Sequence, residues 1–418
     1  MIKKLVLASL VVLLAFSVQA QDKKKKKSED AAKADTAQPE KKETKEPPVA
    51  GTPYVYTGPD TGFGAGASGI WRNILSKEGR DATFTVTYTQ KAYNSYSIEL
   101  KEPQLFNKNG WGRIYAGYNN KPSRLFYGLG NDASEEDASS FGDTDIGLEP
   151  RYDYWFINKP DMRVGVQGLY RFSNFKLYNG PKIDEPVTLG ERQISVVFPE
   201  FYKSDAFETG SISGGSLTFI YDDRKDKYPL PGGRDEVVFP YLGGRQEFTI
   251  GRYDKGIGSD FNYTNYSANL SYYIPIGWEF TVLALRGMIN VKEGDVPWWD
   301  MNSFGSDGSL RGFHDGRYRD NNQVLFNAEL RQHFDVSFSP VPYGALKVFK
   351  LTAPGVALFY DYGRVYHDVS EITWDFGGYK YSYGAGFRFI ISPSVVIRAD
   401  YAISEEESDF YITAGWPW

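Results

Sequence analysis

The sequence predicts an all-β protein, a transmembrane antiparallel β-barrel of 16 strands with a long extracellular loop folded into its lumen. Aromatic residues make up 16% of the chain and glycines number 43, a composition rich in strand and turn formers. Strand-length segments that alternate apolar and polar residues recur over most of the chain. After the first 20 residues, no apolar run approaches the ~18 residues that a membrane helix needs.

Residues 1–20 have the features of a secretory signal peptide. A basic pair precedes an apolar segment from Leu5 to Val18, and Ala20 ends a small-x-small cleavage site. This apolar segment is too short to span a membrane as a helix. The chain contains no cysteine, so the sequence predicts neither a lipid anchor nor a disulfide.

Residues 21–48 predict a disordered linker rich in lysine and glutamate. The segment begins Q-D-K-K-K-K-K and contains almost no apolar side chains that could form a core. Contact between the lysine run and phospholipid headgroups is the alternative interpretation. Residues 49–418 are then expected to form the barrel.

Alternation along single segments favours membrane strands. In Thr281–Lys292, for example, Leu283 and Leu285 lie on one face and Arg286 lies on the other. A soluble β-sandwich would also show such alternation in one strand. The whole set favours a barrel because the segments approach the ~9–11 residues that cross a bilayer at a tilt, and because aromatic residues gather at their ends. Closure also leaves no unpaired strand edge in lipid.

The predicted strands are even in number, as expected when both ends of a barrel lie in the periplasm. If the first strand rises from the periplasm, each loop after an odd-numbered strand is extracellular. Segment 293–321 follows the eleventh predicted strand and is therefore a long extracellular loop. The predicted strands are 62–73, 82–90, 93–103, 109–120, 143–158, 161–174, 190–198, 213–224, 235–252, 260–275, 279–292, 322–334, 355–366, 379–392, 395–404 and 408–418.

That loop contains the polar stretch S-L-R-G-F-H-D-G-R-Y-R-D-N-N, which includes Arg311. The next strands carry charged residues on the face that points into a barrel lumen, among them Glu329 and Asp361. An arginine at the tip of the loop could fold inward and meet these carboxylates. Its planar guanidinium binds carboxylates bidentately and keeps its charge when partly desolvated. Other charged residues expected on the lumen wall are Arg331, His333, Arg388, Arg398 and Asp400.

These motifs resemble the Omp85 superfamily, specifically its surface-antigen (D15-like) barrel domain. The (V/L)-R-G-(F/Y) signature of the sixth loop stands at Leu310, Arg311, Gly312 and Phe313, and the F-x-D-x-G strand stands at 359–363. Glu329 lies in N-A-E-L-R, where the family often has a glutamate. Further matching pieces in order are G-P-D-T-G-F-G-A-G, F-Y-G-L-G-N, D-D-R-K-D-K-Y-P-L-P-G-G and G-A-G-F-R-F, so that the resemblance covers about residues 53–418.

The resemblance implies a 16-stranded barrel in which the sixth loop lies inside the lumen as an internal latch. It implies an ion pair of Arg311 with Asp361 and Glu329, with Gly363 also beside the latch. Family members that insert or export proteins usually carry POTRA domains before the barrel. Residues 21–48 do not resemble one, so the sequence predicts a barrel without POTRA domains. The capture of client proteins known for the family is then not expected to carry over directly to this chain.

The last residues, F-Y-I-T-A-G-W-P-W, resemble the C-terminal signal by which outer-membrane barrels are recognised for assembly. Phe410, Trp416 and Trp418 are predicted to alternate outward on the final strand. An ordinary amphipathic last strand would show the same pattern.

The first functional hypothesis is outer-membrane protein insertion or translocation through a weak seam between the first and last strands. Glycines at 62, 64, 66 and 69 of the predicted first strand weaken strand pairing, although they also suit close packing or bulges. The second hypothesis is a passive channel or structural barrel without insertase activity, in which lumen charges set selectivity. The absence of a recognisable POTRA domain favours this alternative.

The third hypothesis, an outer-membrane hydrolase, depends on His314 beside Asp315, because the other histidines are His333 and His367. The sequence lacks G-x-S-x-G, H-E-x-x-H and cysteine ligands, so it predicts no enzyme, no cofactor and no metal site. The expected partners are outer-membrane lipids, POTRA-containing or lipoprotein partners, and the barrel-assembly machinery for the protein's own insertion. A net charge of −6 gives no indication of nucleic-acid binding. The expected location is the outer membrane of a Gram-negative bacterium.

Overall fold

The computed structural model describes residues 48–58, 60–159, 161–180, 192–204, 207, 209–227, 239–338, 351–373, 377–391 and 395–418. The predicted signal peptide and the predicted linker up to residue 47 lie outside these residues. Among the residues described, no helix is long and apolar enough to cross a membrane.

Antiparallel strands form one closed barrel, which confirms the predicted fold class. Each strand pairs with the next along the chain, and the first pairs with the last. In chain order the barrel strands are β1 (Val49–Gly58), β2 (Gly62–Trp71), β3 (Asp81–Thr89), β4 (Asn94–Pro103), β5 (Gly110–Phe126), β6 (Ser139–Lys159), β7 (Met162–Asn179), β8 (Gly210–Asp222), β9 (Pro240–Tyr253), β10 (Tyr263–Pro275), β11 (Thr281–Gly294), β12 (Asn322–His333), β13 (Leu351–Tyr366), β14 (Lys380–Ile391), β15 (Val395–Ser404) and β16 (Ser408–Ala414).

Short elements lie between the barrel strands. Two short strands, Lys225–Asp226 and Ser337–Phe338, add to the barrel sheet, and Asn302–Phe304 pairs with Tyr318–Asp320 in a separate hairpin. Among the described residues, the α-helices are α1 (Ile194–Val197) and α2 (Pro199–Lys203). The 3-10 helices in the same part of the chain are Ile74–Ser76, Glu135–Asp137, Lys255–Ile257, Trp298–Asp300 and Val369–Glu371.

The alternation of each strand separates a lipid-facing exterior from the lumen. On β14, Tyr381, Tyr383 and Phe387 are 41%, 49% and 58% exposed, whereas the intervening Ser382 and Arg388 are fully buried. A soluble protein would bury those aromatic rings. A membrane barrel exposes them because lipid, not water, surrounds its outer face.

The strand count is the predicted one, but two of the individual predictions are wrong. The described part of segment 190–198, residues 192–198, is not a strand: it contains α1, and Ile194 packs in an aromatic cluster at one mouth of the barrel. The sequence interpretation also missed β1, whose Gly51 and Pro53 disfavour a strand interior. These two errors cancel, so the long loop still follows the eleventh strand.

The junction of β1 and β16, called the seam from here on, is weakly paired. β1 pairs with β2 along its whole length, whereas among the residues described its ladder with β16 consists of the pair Thr57↔Ile412. β16 pairs with β15 from Ser408 to Ala414. Pro53 fits this position because proline cannot donate to a ladder and is tolerated on edge strands.

Because the strands are antiparallel and even in number, β1 begins and β16 ends at the same end of the barrel, the terminal end. The opposite, loop end carries the long segment 295–321, called loop six. Loop six enters the lumen, where Leu310 and Phe313 are fully buried. Its side chains pack there in a cluster with residues of β12 and β13, which consists of Phe304, Leu310, Phe313, Tyr318, Leu325 and Val365.

Candidate functional site

The base of loop six is anchored at the loop end before the chain turns into the lumen. Trp298 packs on Phe126 and Phe141, with ring centroids 4.8 and 5.0 Å apart. Asp300 accepts hydrogen bonds from Tyr263 Oη at 2.7 Å and from Arg171 Nη1 at 2.9 Å. These contacts to β5, β6, β7 and β10 fix the base of the loop on the far wall of the barrel.

The tip of loop six places Arg311 among carboxylates from three strands. Arg311 Nε and Nη2 donate to the two oxygens of Asp361 on β13, at 2.7 and 2.8 Å. Nη1 donates to Glu329 on β12 at 2.6 Å and to Asp400 on β15 at 3.3 Å. All four side chains are at most 1% exposed. The bidentate pair fixes both the position and the orientation of the loop tip.

Further arginines share these carboxylates. Arg331 Nε donates to Glu329 at 2.7 Å, and Arg388 Nη2 donates to the same carboxylate at 3.0 Å. Arg388 also contacts Asp400, which accepts a further bond from Arg398 Nη1 at 3.0 Å.

Arg398 also donates to the side chain of Asp307 in loop six. The arginine–carboxylate network therefore balances equal numbers of positive and negative charges, as burial of charge requires. It consists of Arg311, Arg331, Arg388, Arg398, Asp307, Glu329, Asp361 and Asp400.

Aromatic rings cover the cations of this network. The guanidinium carbon of Arg311 lies 3.5 Å from the ring centroid of Phe359 on β13. That of Arg331 lies 4.2 Å from Trp416 and 5.4 Å from Trp418. A desolvated guanidinium is attracted to the negative face of an aromatic ring, so the rings stabilise charge where water is displaced.

The structure brings the sequence-predicted latch residues together inside the lumen. Gly312 has φ +81°, which favours glycine, and its N–H donates to Tyr411 Oη on β16 at 3.0 Å. Gly363 lies against loop six, because a Cβ there would be 2.9 Å from the ring of Phe304. Leu310 and Phe313 flank Arg311 and Gly312 in the buried cluster.

Sequence reasoning missed Asn327 and Tyr411, which bind the loop near its tip. Asn327 Nδ2 donates to Asp361 and to the Ser309 carbonyl, both at 2.8 Å. Tyr411 accepts from the loop backbone at Gly312. A usable signal existed for both: Asn327 shares the inward face of Glu329 two residues away, and Tyr411 is out of phase with the outward Phe410.

The C-terminal aromatic residues do not share one outward face, which corrects the prediction from alternation. Phe410 lies on β16 and is 49% exposed. β16 ends at Ala414, Gly415 adopts φ +91°, and Trp416 and Trp418 then pack against lumen side chains. The cationic Arg331 gives both indoles a partner inside the barrel.

The glycines predicted to weaken the first strand lie in β2, where Gly64 and Gly66 make room for aromatic rings. A Cβ at Gly64 would be 2.5 Å from the ring of Tyr56, and one at Gly66 would be 2.4 Å from that of Tyr54. The rings of β1 thus lie across β2, and Tyr54 Oη reaches Thr87 on β3 at 2.6 Å. Weak pairing at the seam comes instead from the short β1–β16 ladder.

The histidines make separate contacts and do not form one site. His314 does not pair with its sequence neighbour Asp315, whose carboxylate accepts from Arg124 at 3.1 Å. Its ring nitrogens contact Asp60 at 2.8 Å and Glu407 at 3.3 Å. His333 contacts the Ala353 carbonyl at 2.8 Å.

The loop-end environment fixes the charge of His314. Burial alone would lower the pKa of His314, but hydrogen bonds to Asp60 and Glu407 outweigh burial and raise the pKa from 6.5 to about 10. The folded protein therefore holds this proton more tightly than the unfolded chain. The stabilisation from this charge is complete below pH 6.5 and is lost as the pH rises through about 10.

We expect the stability difference between the wild type and His314→Gln to depend on pH accordingly. The variant should be less stable than the wild type at pH 6, and the difference should shrink steadily and vanish by about pH 11. Unfolding midpoints in detergent between pH 6 and 11 measure this difference. His367→Gln is the control, because His367 is 66% exposed beside Asp320. A difference for His314→Gln that does not change with pH would contradict the charged state.

Comparisons with known proteins agree with this architecture. A family model described as the Omp85 superfamily domain matches residues 75–416. BamA from Haemophilus ducreyi lacking POTRA domains 1–3 aligns with a TM-score of 0.56 and 15% identity, over 88% of this chain and 70% of that chain. CdiB from Acinetobacter baumannii aligns with a TM-score of 0.51 and 14% identity, over 87% of this chain and 59% of that chain. The chain thus spans less than two thirds of that CdiB chain. A search of curated proteins found no match to the present chain.

Proposed function

The chain belongs to the Omp85 superfamily, and we propose that this outer-membrane β-barrel assists the assembly or translocation of other outer-membrane proteins by opening at its seam. The observation that carries the proposal is the ladder between β1 and β16, which consists of Thr57↔Ile412 among the residues described. Neighbouring ladders extend along whole strands, as between β1 and β2.

Opening a barrel elsewhere would break a full ladder. Each backbone hydrogen bond contributes about 0.5–1.5 kcal/mol net, and an unpaired polar group in lipid costs several kcal/mol. At the seam, few hydrogen bonds are lost, and the edges of β1 and β16 are free to pair with a strand from another chain. Addition of a strand to an exposed sheet edge is an established mode of peptide recognition.

The filled lumen supports a lateral route over an axial one. Loop six and the arginine–carboxylate network occupy the interior, with Arg311 and its carboxylates at most 1% exposed. A polypeptide moving along the barrel axis would have to disrupt this network. A strand that enters through the seam would leave it intact.

A disulfide across the seam tests the proposal. The chain has no cysteine, so Thr57→Cys with Ile412→Cys introduces a single defined pair at the register contact. The control pair is Ala67→Cys with Val86→Cys, which are register partners across β2 and β3. Both proteins are reconstituted in proteoliposomes, and insertion of an unfolded outer-membrane barrel is followed by its heat-dependent gel mobility.

We expect oxidation of the seam pair to abolish assisted insertion, and reduction to restore it, while the control pair stays active in both states. Insertion that continues with the seam locked would overturn the proposal and favour a passive channel or structural barrel. An ion conductance that is the same with the seam disulfide oxidised or reduced would support that alternative.

The proposal includes location and partners. We place the protein in the outer membrane of a Gram-negative bacterium, inserted there by the barrel-assembly machinery. POTRA-containing proteins or lipoproteins are the proposed partners for client capture, since the residues described form the membrane barrel itself. Purification of the native protein from outer membranes, followed by identification of co-purifying proteins, tests these partners. We propose no catalytic role for the barrel.

A further inference from the structure

The two sides of the seam each end in a tight turn at the loop end. A turn that includes Asp60 and Thr61 connects β1 to β2, and the turn at 405–407 connects β15 to β16. Asp60 lies in the first turn, three residues after Thr57 in the register pair of the seam. Contacts that connect these two turns therefore bear directly on the seam.

His314 of loop six contacts both turns with one imidazole ring. Its Nδ1 lies 2.8 Å from Asp60 Oδ1, and its Nε2 lies 3.3 Å from Glu407 Oε2. Donation to both carboxylates requires both ring nitrogens to be protonated. The next residue reinforces the β1 side, because the Asp315 N–H donates to Asp60 Oδ2 at 3.1 Å.

The β16 side is held to loop six by further contacts. Arg317 donates to both oxygens of Glu406, at 2.6 and 2.7 Å. Tyr318 Oη donates to the same carboxylate at 2.6 Å. The Gly312 N–H reaches Tyr411 Oη on β16 itself. Loop six is thus bound to the last hairpin through several groups and to the first hairpin through Asp60.

The arginine–carboxylate network keeps loop six from following β1 when the seam separates. Arg311 is bound to β12, β13 and β15, on the β16 side of the seam. Movement of β1 away from β16 must therefore break the contacts of Asp60 with His314 and with the Asp315 backbone. These contacts lie where the ladder between β1 and β16 supplies a single pair, Thr57↔Ile412, in the part of the chain that the structure describes.

We propose that His314, Asp60 and Glu407 form a clasp that holds the seam closed at its loop end and so sets how often it opens. The inference rests on the proposed function in one respect, namely that opening of the seam is the active event. In this proposal His314 is a positioning residue for the seam, because its side chain acts on β1 through Asp60 without contacting a client protein.

Spin labels on the two sides of the seam measure the clasp. Thr57→Cys with Ile412→Cys, kept reduced, is spin-labelled in proteoliposomes, and pulsed electron spin resonance gives the ratio of separated to joined seams. Hydrogen bonds to charged groups contribute roughly 1.5–3 kcal/mol, so His314→Ala should raise this ratio about tenfold or more. Asp60→Asn, which preserves the shape of the turn, should raise the ratio in the same direction.

A matched control exists at the same end of the barrel. His367 Nδ1 contacts Asp320 Oδ1 at 3.1 Å but lies in the loop after β13, away from the seam. His367→Ala should leave the ratio unchanged. The double variant of His314→Ala with Asp60→Asn should open no further than the more open single variant, because both changes remove the same charged contact between His314 and Asp60.

The outcomes separate this inference from the proposed function. An unchanged ratio in both His314→Ala and Asp60→Asn overturns the clasp, even if the seam disulfide blocks insertion. A raised ratio together with insertion that persists through the locked seam supports the clasp and overturns the proposed function. Additive effects of the two substitutions would show that they act separately, which also overturns the clasp.

Discussion

Arg311→Ala is expected to destabilise the barrel by about 3–5 kcal/mol, the range found when one partner of a buried ion pair is removed. The substitution leaves Asp361 without its bidentate partner and Glu329 and Asp400 with fewer donors, all at 0% exposure. The ring of Phe359 also loses the cation above it. Loop six should then leave the lumen or become mobile within it.

The free energy of unfolding in detergent, from urea titration followed by tryptophan fluorescence, measures this loss. Arg252→Ala is the matched control, because Arg252 pairs with Asp254 at 3.0 Å but both side chains are substantially exposed, and such pairs contribute about 0–1 kcal/mol. Arg311→Lys keeps the charge without the bidentate geometry and should fall between these two variants. Equal stability of Arg311→Ala and Arg252→Ala would show that the latch does not stabilise the fold.

Glu329→Gln should destabilise the barrel by a similar amount, about 3–5 kcal/mol, because it leaves buried cations without their anion. Its carboxylate accepts from Arg311, Arg331 and Arg388, and it is fully buried. The amide has nearly the same shape, but it removes the negative charge that separates three guanidinium groups. Repulsion among these cations then adds to the loss of charge-assisted hydrogen bonds.

A compensating variant makes this prediction specific. Adding Arg388→Gln to Glu329→Gln removes one of the uncompensated cations, so the double variant should be less destabilised than the sum of the two single variants. Glu102→Gln is the control, because Glu102 near the end of β4 also binds more than one cation, Lys77 and Arg80, but all three side chains are partly exposed. Additivity between positions 329 and 388 would contradict direct coupling inside the network.

Much of the barrel could be predicted because the pattern that specifies a strand is local. A period of two places Tyr381 and Phe387 outside and Arg388 inside without any knowledge of other strands. The same period puts Glu329 and Asp361 in the lumen. It fails at 192–198, where α1 places Ile194 in the aromatic cluster at the mouth of the barrel. It also fails at β1, where Pro53 is tolerated because the neighbouring edge is the seam.

The partners of the lumen residues could be predicted only in part. The motif around Arg311 pointed to Asp361 and Glu329, but its third carboxylate, Asp400, is 89 residues away along the chain. The contact of His314 with Asp60 spans 254 residues. Such contacts depend on how the barrel closes and on which strands face one another across the lumen.

The sequence by itself predicted the barrel and the phase of most of its strands, and the resemblance of the loop-six motif implied that Arg311 enters the lumen. Those properties follow from residue type and spacing over a few neighbouring positions. The tertiary structure alone decided the inward turn of Trp416 and Trp418, the single pair that the described residues of β1 and β16 form, and the bridging position of His314. Each of these depends on contacts between segments that are distant along the chain. The buried Arg331 attracts the indoles, and closure of the sheet brings the first and last hairpins to the imidazole of His314.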